Sequence, residues 1–188
     1  AAPESRNSWL SALNEAAFMT GLERNAAVVN MASYAPLLAH VDAWQWRPDL
    51  IWFDNLQTIG TPNYYVQKMF STHKGTQVIP ALSAGKPLEG ADSLYASATI
   101  DKNNLKVYIK LVNSSSIVKP VRLSLEGLSF LKNGEIETLK AKGLYDFNSI
   151  ENPKLIYPSS IPITVSAKKI NISLDPRSVN VVILTYKK

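Results

Sequence analysis

Cysteine is absent from this 188-residue chain, and no apolar run approaches the length that crosses a membrane. The first absence excludes a disulfide scaffold and every metal site built on thiolates. The second excludes a membrane-spanning helix, which needs about 20 consecutive apolar residues. Histidine occurs only as His40 and His73, and no Asp or Glu spacing around them indicates a metal site. We therefore expect no membrane segment, no metal and no cofactor.

The net charge of +5 is unevenly distributed. Residues 1–75 contain five basic and six acidic side chains, whereas residues 76–188 contain 15 and nine. A basic half suits nucleic acid when its cations cluster with stacking aromatic residues. Here the lysines are spaced singly along predicted strands, which indicates a solvated strand face with charged edges and argues against a nucleic-acid partner. They are Lys106, Lys110, Lys119, Lys132 and Lys140.

The composition changes near residue 75. All four tryptophans and all three methionines precede that point, and Leu, Ile, Val and Lys dominate after it. Hydrophobic residues make up 46% of the chain, which is enough for a packed core. We predict a boundary between residues 1–75 and residues 76–188, near the loop-forming run at residues 84–90.

The first part alternates between helix and strand. A helix is predicted over residues 8–23, capped by Asn7 or Ser8, and a short buried strand over Val28–Tyr34. The apolar run at residues 50–53 predicts a second extended segment. Thr61 followed by Pro62 predicts the start of another helix, which should run to about Phe70. This succession is typical of an α/β barrel or an open parallel sheet.

The second part alternates with period two, as half-buried strands do. Asn133-Gly134 predicts a two-residue hairpin turn, residues 101–104 predict a second turn, and Ser178–Tyr186 predicts a closing strand. Short strands with turn signals between them indicate an antiparallel β-sandwich. The alternating apolar positions are Leu105, Val107, Ile109 and Leu111, then Val121, Leu123 and Leu125, then Ile170, Ile172 and Leu174.

Three runs of the first part carry a family resemblance: Asn14–Asn25 (NEAAFMTGLERN), Met31–Leu37 (MASYAPL) and Trp52–Asn55 (WFDN). Together they resemble the end of the catalytic barrel in the α-L-arabinofuranosidases of glycoside hydrolase family 51. Those enzymes have a (β/α)8 barrel followed by a jelly-roll type β-sandwich. The resemblance implies a mainly β chain whose α/β N-terminal part completes the barrel. It makes residues 8–23 the seventh helix, 28–35 the eighth strand and 62–71 the eighth helix.

The same resemblance implies an activity for the intact enzyme. Family 51 enzymes release terminal α-L-arabinofuranosyl groups from arabinan and arabinoxylan with retention, using two glutamates. The acid/base follows an asparagine and the nucleophile precedes Tyr-Ala, and both lie upstream of the resembling runs. Glu15 follows Asn14 but lies in a predicted helix, and Glu4 is followed by Ser5. We therefore expect a C-terminal region without a catalytic residue.

The candidate sugar-binding residues follow the predicted eighth strand. Barrel active sites are built from loops at the C-terminal ends of strands. Aromatic rings pack against sugar faces, and carboxylates accept hydrogen bonds from hydroxyls, so Trp44, Trp46 and Asp49, with Arg47 beside them, are candidates. Asn30 is a fourth, if it points into the barrel lumen. The alternative is that the tryptophans are packing residues and that Asn30 makes a satisfied core hydrogen bond.

A different class of function is a non-catalytic carbohydrate-binding sandwich. That reading needs exposed aromatic residues on one sandwich face, and no tryptophan follows residue 52. The tyrosines available for such a platform are Tyr95, Tyr108, Tyr145, Tyr157 and Tyr186.

The expected partner is an arabinose-containing polysaccharide or oligosaccharide, bound through the intact enzyme. We favour a bacterial periplasmic or secreted location over the cytoplasm. A homo-oligomer is a further expectation, because the apolar faces of the two predicted helices must be covered. Either the helices fold onto the sandwich or two copies pair through the broken barrel edges. Pairing is favoured, because the apolar stripes of the helices match barrel neighbours and the core of the sandwich is already internal to it.

Overall fold

Residues 7–166 and 168–187 are described by a computed structural model. Glu4 lies outside these residues. Neither helix in the described ranges has the length and apolar character to cross a bilayer. The helices are α1 (Trp9–Arg24) and α2 (Pro62–Thr72), and the strands are β1 (Leu38–His40), β2 (Ile51–Phe53), β3 (Thr58–Gly60), β4 (Gln77–Ile79), β5 (Leu82–Ser83), β6 (Lys86–Pro87), β7 (Leu94–Asp101), β8 (Lys106–Asn113), β9 (Lys119–Ser124), β10 (Phe130–Lys140), β11 (Ser159–Thr164), β12 (Lys169–Leu174) and β13 (Ser178–Tyr186).

A six-stranded antiparallel sheet, ordered β11-β10-β13-β8-β7-β4, forms the middle layer. The antiparallel pair β9–β12 covers one face of this sheet, and the two helices cover the other. The predicted mainly β fold with an antiparallel sandwich is confirmed, as is the closing strand. The hairpin β5–β6 lies in the region where the sequence predicted a loop.

The predicted alternation places apolar side chains on the sandwich side of the sheet. Val107, Ile109 and Leu111 of β8 belong to one buried cluster with Ile170 and Leu174 of β12. Burying a side chain of this size stabilises the fold by about 1.5–3 kcal/mol. This cluster is the core between the two sheets.

The opposite face of the sheet is also buried, because α1 and α2 lie on it. Trp9 and Leu13 of α1 and Met69 of α2 share a second cluster with Val112 and Val181 of the sheet. The helices therefore fold onto the sandwich, which is one of the two arrangements expected from the sequence. The premise that favoured pairing, that the sandwich offered the helices no apolar partner surface, was wrong.

The predicted strand at Val28–Tyr34 was wrong. Residues 29–34 are irregular, and Val28 and Met31 are 76% and 88% exposed. A strand is stable only when its backbone groups pair with a neighbour, and no described strand lies beside this segment. The extended run at residues 50–53 is confirmed as β2, which pairs with β1 in parallel and with β3 in antiparallel fashion.

The two helix starts are stabilised in different ways. At α2 the prediction is confirmed, since the Thr61 hydroxyl accepts from the backbone N–H of Tyr64 at 3.2 Å. At α1 the N-cap residue is Ser8, but its side chain makes no capping hydrogen bond. The backbone N–H groups of Trp9 and Leu10 instead donate to the carbonyls of Asp146 and Leu144 at 2.8 and 2.7 Å. The loop after β10 therefore caps α1.

The predicted hairpin turn at Asn133-Gly134 was wrong, because both residues lie inside β10. They pair with Thr164 and Ile163 of β11. A Cβ atom on Gly134 would come within 2.7 Å of the Leu184 side chain, so glycine is needed here for close strand packing. The turn at residues 101–104 is confirmed, with Asp101 Oδ1 accepting from the backbone N–H of Asn103 and Asn104 at 2.9 and 3.1 Å.

Lys110 contradicts the prediction of a solvated lysine face. It points from β8 toward the helices and is 0% exposed. Its ammonium donates to Glu23 Oε1 at the end of α1 and to the His73 carbonyl after α2, both at 2.6 Å. Ser97 of β7 donates to the second oxygen of Glu23 at 2.5 Å. Burial lowers the pKa of Lys110, and the Glu23 carboxylate acts in the opposite direction.

Replacing Lys110 by Met should lower the free energy of unfolding by about 3 kcal/mol, because the largely buried Glu23, 14% exposed, is left without its cation. The double variant Lys110→Met/Glu23→Leu should recover most of that loss, since no unpaired charge remains. Urea unfolding of the chain measures both effects. The control is Lys140→Met, which breaks the exposed pair with Asp175 and should cost less than about 1 kcal/mol. Equal losses in the single and double variants would contradict this account.

Candidate functional site

Residues 43–53, which we call the rim segment, contain three of the four candidate sugar-binding residues. The Arg47 guanidinium carbon lies 4.3 Å from the ring centre of Trp44 and 4.9 Å from that of Trp52. The two indoles meet edge to face, with centroids 6.2 Å apart. Cation–π contacts of this kind contribute about 0.5–2 kcal/mol each. Arg47 thus joins Trp44 to the buried Trp52 of β2.

The candidate tryptophans differ in their surroundings. Trp44 is 44% exposed and is held by Arg47 and Trp52, whereas Trp46 is 67% exposed. An exposed indole offers a ring face that a sugar can pack against. Trp46 is therefore the candidate whose surface is most available to a ligand.

Asp49 is buried, with 2% exposure, and does not present its carboxylate to solvent. Its backbone N–H donates to Asn7 Oδ1 at 3.1 Å, and the Trp52 indole N–H donates to the same oxygen at 3.4 Å. Asp49 Oδ2 and Asn7 Nδ2 have no hydrogen-bond partner among the described residues. Burial raises the pKa of Asp49, and the nearby Arg47 acts in the opposite direction.

A polar network below the rim segment joins the two helices. Glu15 of α1 accepts hydrogen bonds from the side-chain amides of Asn63 and Gln67 of α2. Burial raises the pKa of Glu15, while these two donors lower it. Burial, assisted by the negative charges of Glu15 and Asp49, raises the pKa of Tyr34 to about 12. Glu15 thus holds the helices together from within α1.

Trp44, Arg47 and Asp49 lie together in the rim segment, whereas Asn30 lies outside it. Asn30 is exposed in the irregular run before β1, so the expected strand that would aim it at a barrel lumen is missing. Sequence reasoning treated Asn7 only as a possible helix cap and missed its contacts with Asp49 and Trp52. Asn7 has a φ of 57°, a left-handed conformation that asparagine tolerates. The sequence alone does not show that Asn7 adopts this conformation.

The two histidines have separate contacts. His40 packs edge-on against Phe53 with centroids 5.3 Å apart, and His73 follows α2. Across the described ranges, no three His, Asp or Glu side chains converge as metal ligands would.

Comparison with known proteins gives a consistent set of relatives. A family model described as the α-L-arabinofuranosidase C-terminal domain matches residues 1–178. α-L-Arabinofuranosidase 1 of Arabidopsis thaliana is 33% identical over 177 residues, 91% of this chain and 26% of that protein. The extracellular exo-α-L-arabinofuranosidase of Streptomyces chartreusis is 51% identical over 98 residues, 50% of this chain and 12% of that protein.

Solved structures show the same likeness. The structure of an arabinose-bound family 51 α-L-arabinofuranosidase superposes with a TM-score of 0.85 at 34% identity, over 96% of this chain and 28% of its own. The arabinose complex of the Thermotoga maritima α-L-arabinofuranosidase superposes with a TM-score of 0.73 at 22% identity, over 93% of this chain and 38% of its own, which concerns the fold alone. This chain therefore spans well under half of the length of its relatives.

The raised pKa of Asp49 predicts a pH-dependent effect of Asp49→Asn. A carboxyl whose pKa is higher in the folded chain contributes most to stability below its unfolded pKa, and that contribution is lost as pH rises through the folded pKa. Asparagine has no such dependence. The free energy of unfolding of the variant, relative to the unchanged chain, should therefore increase between pH 3 and pH 7.

Urea unfolding at several pH values measures this difference. The exposed Asp42, just before the rim segment, supplies the control, since Asp42→Asn should change stability by less than about 0.5 kcal/mol throughout. A difference for Asp49→Asn that is flat or that falls with pH would show that burial does not disfavour its carboxylate.

Proposed function

Because this chain belongs to the family of α-L-arabinofuranosidase C-terminal domains, we propose that it functions as the C-terminal region of a longer α-L-arabinofuranosidase. The family match over nearly the whole chain is the observation that carries this proposal. The chain contributes scaffold and no catalytic carboxylate. In support, Glu15 is engaged by two amides of α2, and Asp49 is buried.

The intact protein would release terminal α-L-arabinofuranosyl residues from arabinan or arabinoxylan with retention. Retaining hydrolases hold two carboxyl groups about 5 Å apart, and the longer parent would supply that pair from residues outside this chain. Its partner would be an arabinose-containing polysaccharide or oligosaccharide. The relative from Streptomyces chartreusis is named as extracellular, which supports a secreted or periplasmic location for the parent.

Residues 1–75 would complete the catalytic barrel, and residues 76–188 would form the sandwich that follows it. In the parent, the irregular run at residues 28–35 would pair with barrel strands as the eighth strand. The exposure of Val28 and Met31 supports this, since large apolar side chains at 76% and 88% exposure are suited to a covered surface. Whether the chain also forms a homo-oligomer stays a prediction.

The rim segment would form one wall of the sugar site. Trp46 would offer its exposed indole, and Trp44 would be held in place by Arg47. Asp49 Oδ2 would accept a hydrogen bond from a group outside the described residues, because none of them supplies one. Asn30 would join this wall once its segment pairs as a strand.

The alternative of a flat aromatic platform on the sandwich has less support. Of the five candidate tyrosines, Tyr108 and Tyr186 are buried and Tyr95 is half-buried. Tyr145 and Tyr157 are exposed, at 61% and 47%, but both belong to the loop between β10 and β11. These five tyrosines therefore do not form an exposed row on one sheet face.

The 188-residue chain alone should not hydrolyse an aryl α-L-arabinofuranoside, because its single Asn-Glu pair, Asn14-Glu15, lies inside α1 and no glutamate precedes Tyr-Ala. The assay compares it with the full-length parent, which should be active. Glu15→Gln provides the control for a misassigned carboxylate. Turnover by the pure chain that Glu15→Gln abolishes would overturn the assignment.

In the full-length parent, Trp46→Ala and Asp49→Ala should each lower kcat/KM at least about 10-fold, a loss of about 1.4 kcal/mol of transition-state stabilisation. The reason is that Trp46→Ala removes an exposed ring face from the sugar site, whereas Asp49→Ala removes the buried carboxylate that supports this wall. Phe147→Ala, which removes a 57% exposed aromatic ring from the loop after β10, is the matched control and should leave kcat/KM unchanged. Values within twofold of the unchanged enzyme for both rim variants would make the segment structural packing.

A further inference from the structure

A cleft of about 220 Å³ lies between α2, β10 and the loop between β10 and β11. It shares no residue with the rim segment. A volume of this size is small for a drug-like ligand and suits a single small ring. The residues that line it include Tyr65, Lys68, Met69, Thr72, Glu137 and Tyr157.

The Glu137 side chain lines this cleft and is 21% exposed. Its Oε2 atom is buried without a hydrogen-bond partner among the described residues. The His73 ring lies beside it, with Nδ1 3.5 Å from Oε2 and 2.8 Å from the Met69 carbonyl oxygen. Burial raises the pKa of Glu137, while His73 and Lys68 lower it and Glu135 raises it. The accessible part of this carboxylate is an acceptor that a ligand hydroxyl could reach from the cleft.

The opposite wall of the cleft is aromatic. The Tyr157 ring is 47% exposed and is fixed edge to face against Tyr65, with centroids 5.0 Å apart. The Lys154 ammonium lies 5.2 Å from the centre of the same ring, and the exposed Lys68 belongs to the cleft lining. The cleft therefore combines a ring surface and a hydrogen-bond acceptor with two lysine donors beside them.

We propose that this cleft binds one neutral sugar ring. The C–H face of the ring packs against Tyr157, one hydroxyl donates to the part of the Glu137 carboxylate that faces the cleft, and other hydroxyls accept from Lys68 and Lys154. An anion is disfavoured because Glu137 would repel it, and a cation is disfavoured because two lysines border the opening. The choice of L-arabinose as the sugar rests on the proposed function. The inference that the cleft takes a neutral ring rests on the residues of the cleft alone.

The test is a titration of the isotope-labelled 188-residue chain with L-arabinose, followed by amide and tyrosine NMR signals. A single ring in a small open cleft should bind with a Kd on the order of 1–10 mM. We expect saturable shifts at Tyr65, Lys68, Glu137 and Tyr157. Glycerol, which has hydroxyls but no ring face, should bind at least about 10-fold more weakly. No saturable shift, or equal binding of glycerol, would overturn the proposal.

Variants locate the site. Tyr157→Ala should raise the Kd at least about 10-fold, and Glu137→Gln and Lys68→Ala should each raise it about threefold or more. The control is Tyr145→Ala, since Tyr145 is an exposed tyrosine of the same loop outside the cleft lining. Lys68 is exposed, so Lys68→Ala keeps the test decisive should Tyr157→Ala fail to fold. Binding that none of the three cleft variants weakens would overturn the proposal.

Failure of this inference is distinguishable from failure of the proposed function. Hydrolysis of an aryl arabinofuranoside by the parent depends on its catalytic pair. An active parent whose C-terminal chain does not bind arabinose would overturn the cleft alone. An inactive parent whose C-terminal chain binds arabinose at Tyr157 would overturn the proposed activity and support the cleft.

Discussion

The buried ion pair between Lys110 and Glu23 is the constraint on which the arrangement of layers depends. One ammonium group in the middle of the sheet meets the last turn of α1 and the carbonyl that follows α2. A buried charge that loses its partner costs several kcal/mol, so the helices cannot slide along the sheet without breaking this contact. Hydrophobic packing of Trp9 and Met69 is non-directional, and it supplies attraction without fixing the register. The ion pair supplies the register.

The sequence predicts those parts of the fold whose signals are local. The Thr61-Pro62 start of α2 and the turn at residues 101–104 are decided by side chains that contact their own neighbouring backbone. The burial of Lys110 could not be predicted. A lysine that alternates with apolar residues along a strand is expected to face solvent unless a second layer covers that face of the sheet. Gly134 reads as a turn residue, but its role is to let β13 approach. The run at residues 28–34 has the composition of a strand, and strand formation needs a neighbour that the sequence of a segment does not contain.

The candidate site, like the fold, could be predicted only in part from the sequence. The sequence finds Trp44, Trp46 and Asp49 because their types are suited to carbohydrate and because they follow an expected barrel strand. It cannot distinguish the exposed ring of Trp46 from the buried carboxylate of Asp49, since exposure is set by distant parts of the chain. Asn7 illustrates the limit most clearly. Its single oxygen receives two hydrogen bonds from the rim segment, and nothing in its local sequence indicates that role.

The capping of α1 by the Leu144 and Asp146 carbonyls has a consequence for how the chain folds. The ribosome makes α1 before the loop whose carbonyls satisfy its opening amides. The ion pair of Glu23 likewise cannot form until Lys110 of β8 has been synthesised. Contacts between such distant segments slow folding, because the intervening chain must lose the entropy of loop closure before the contacts can form. The N-terminal helix should therefore remain labile until the sheet has assembled, and the sandwich would act as the template on which the preceding segment is completed.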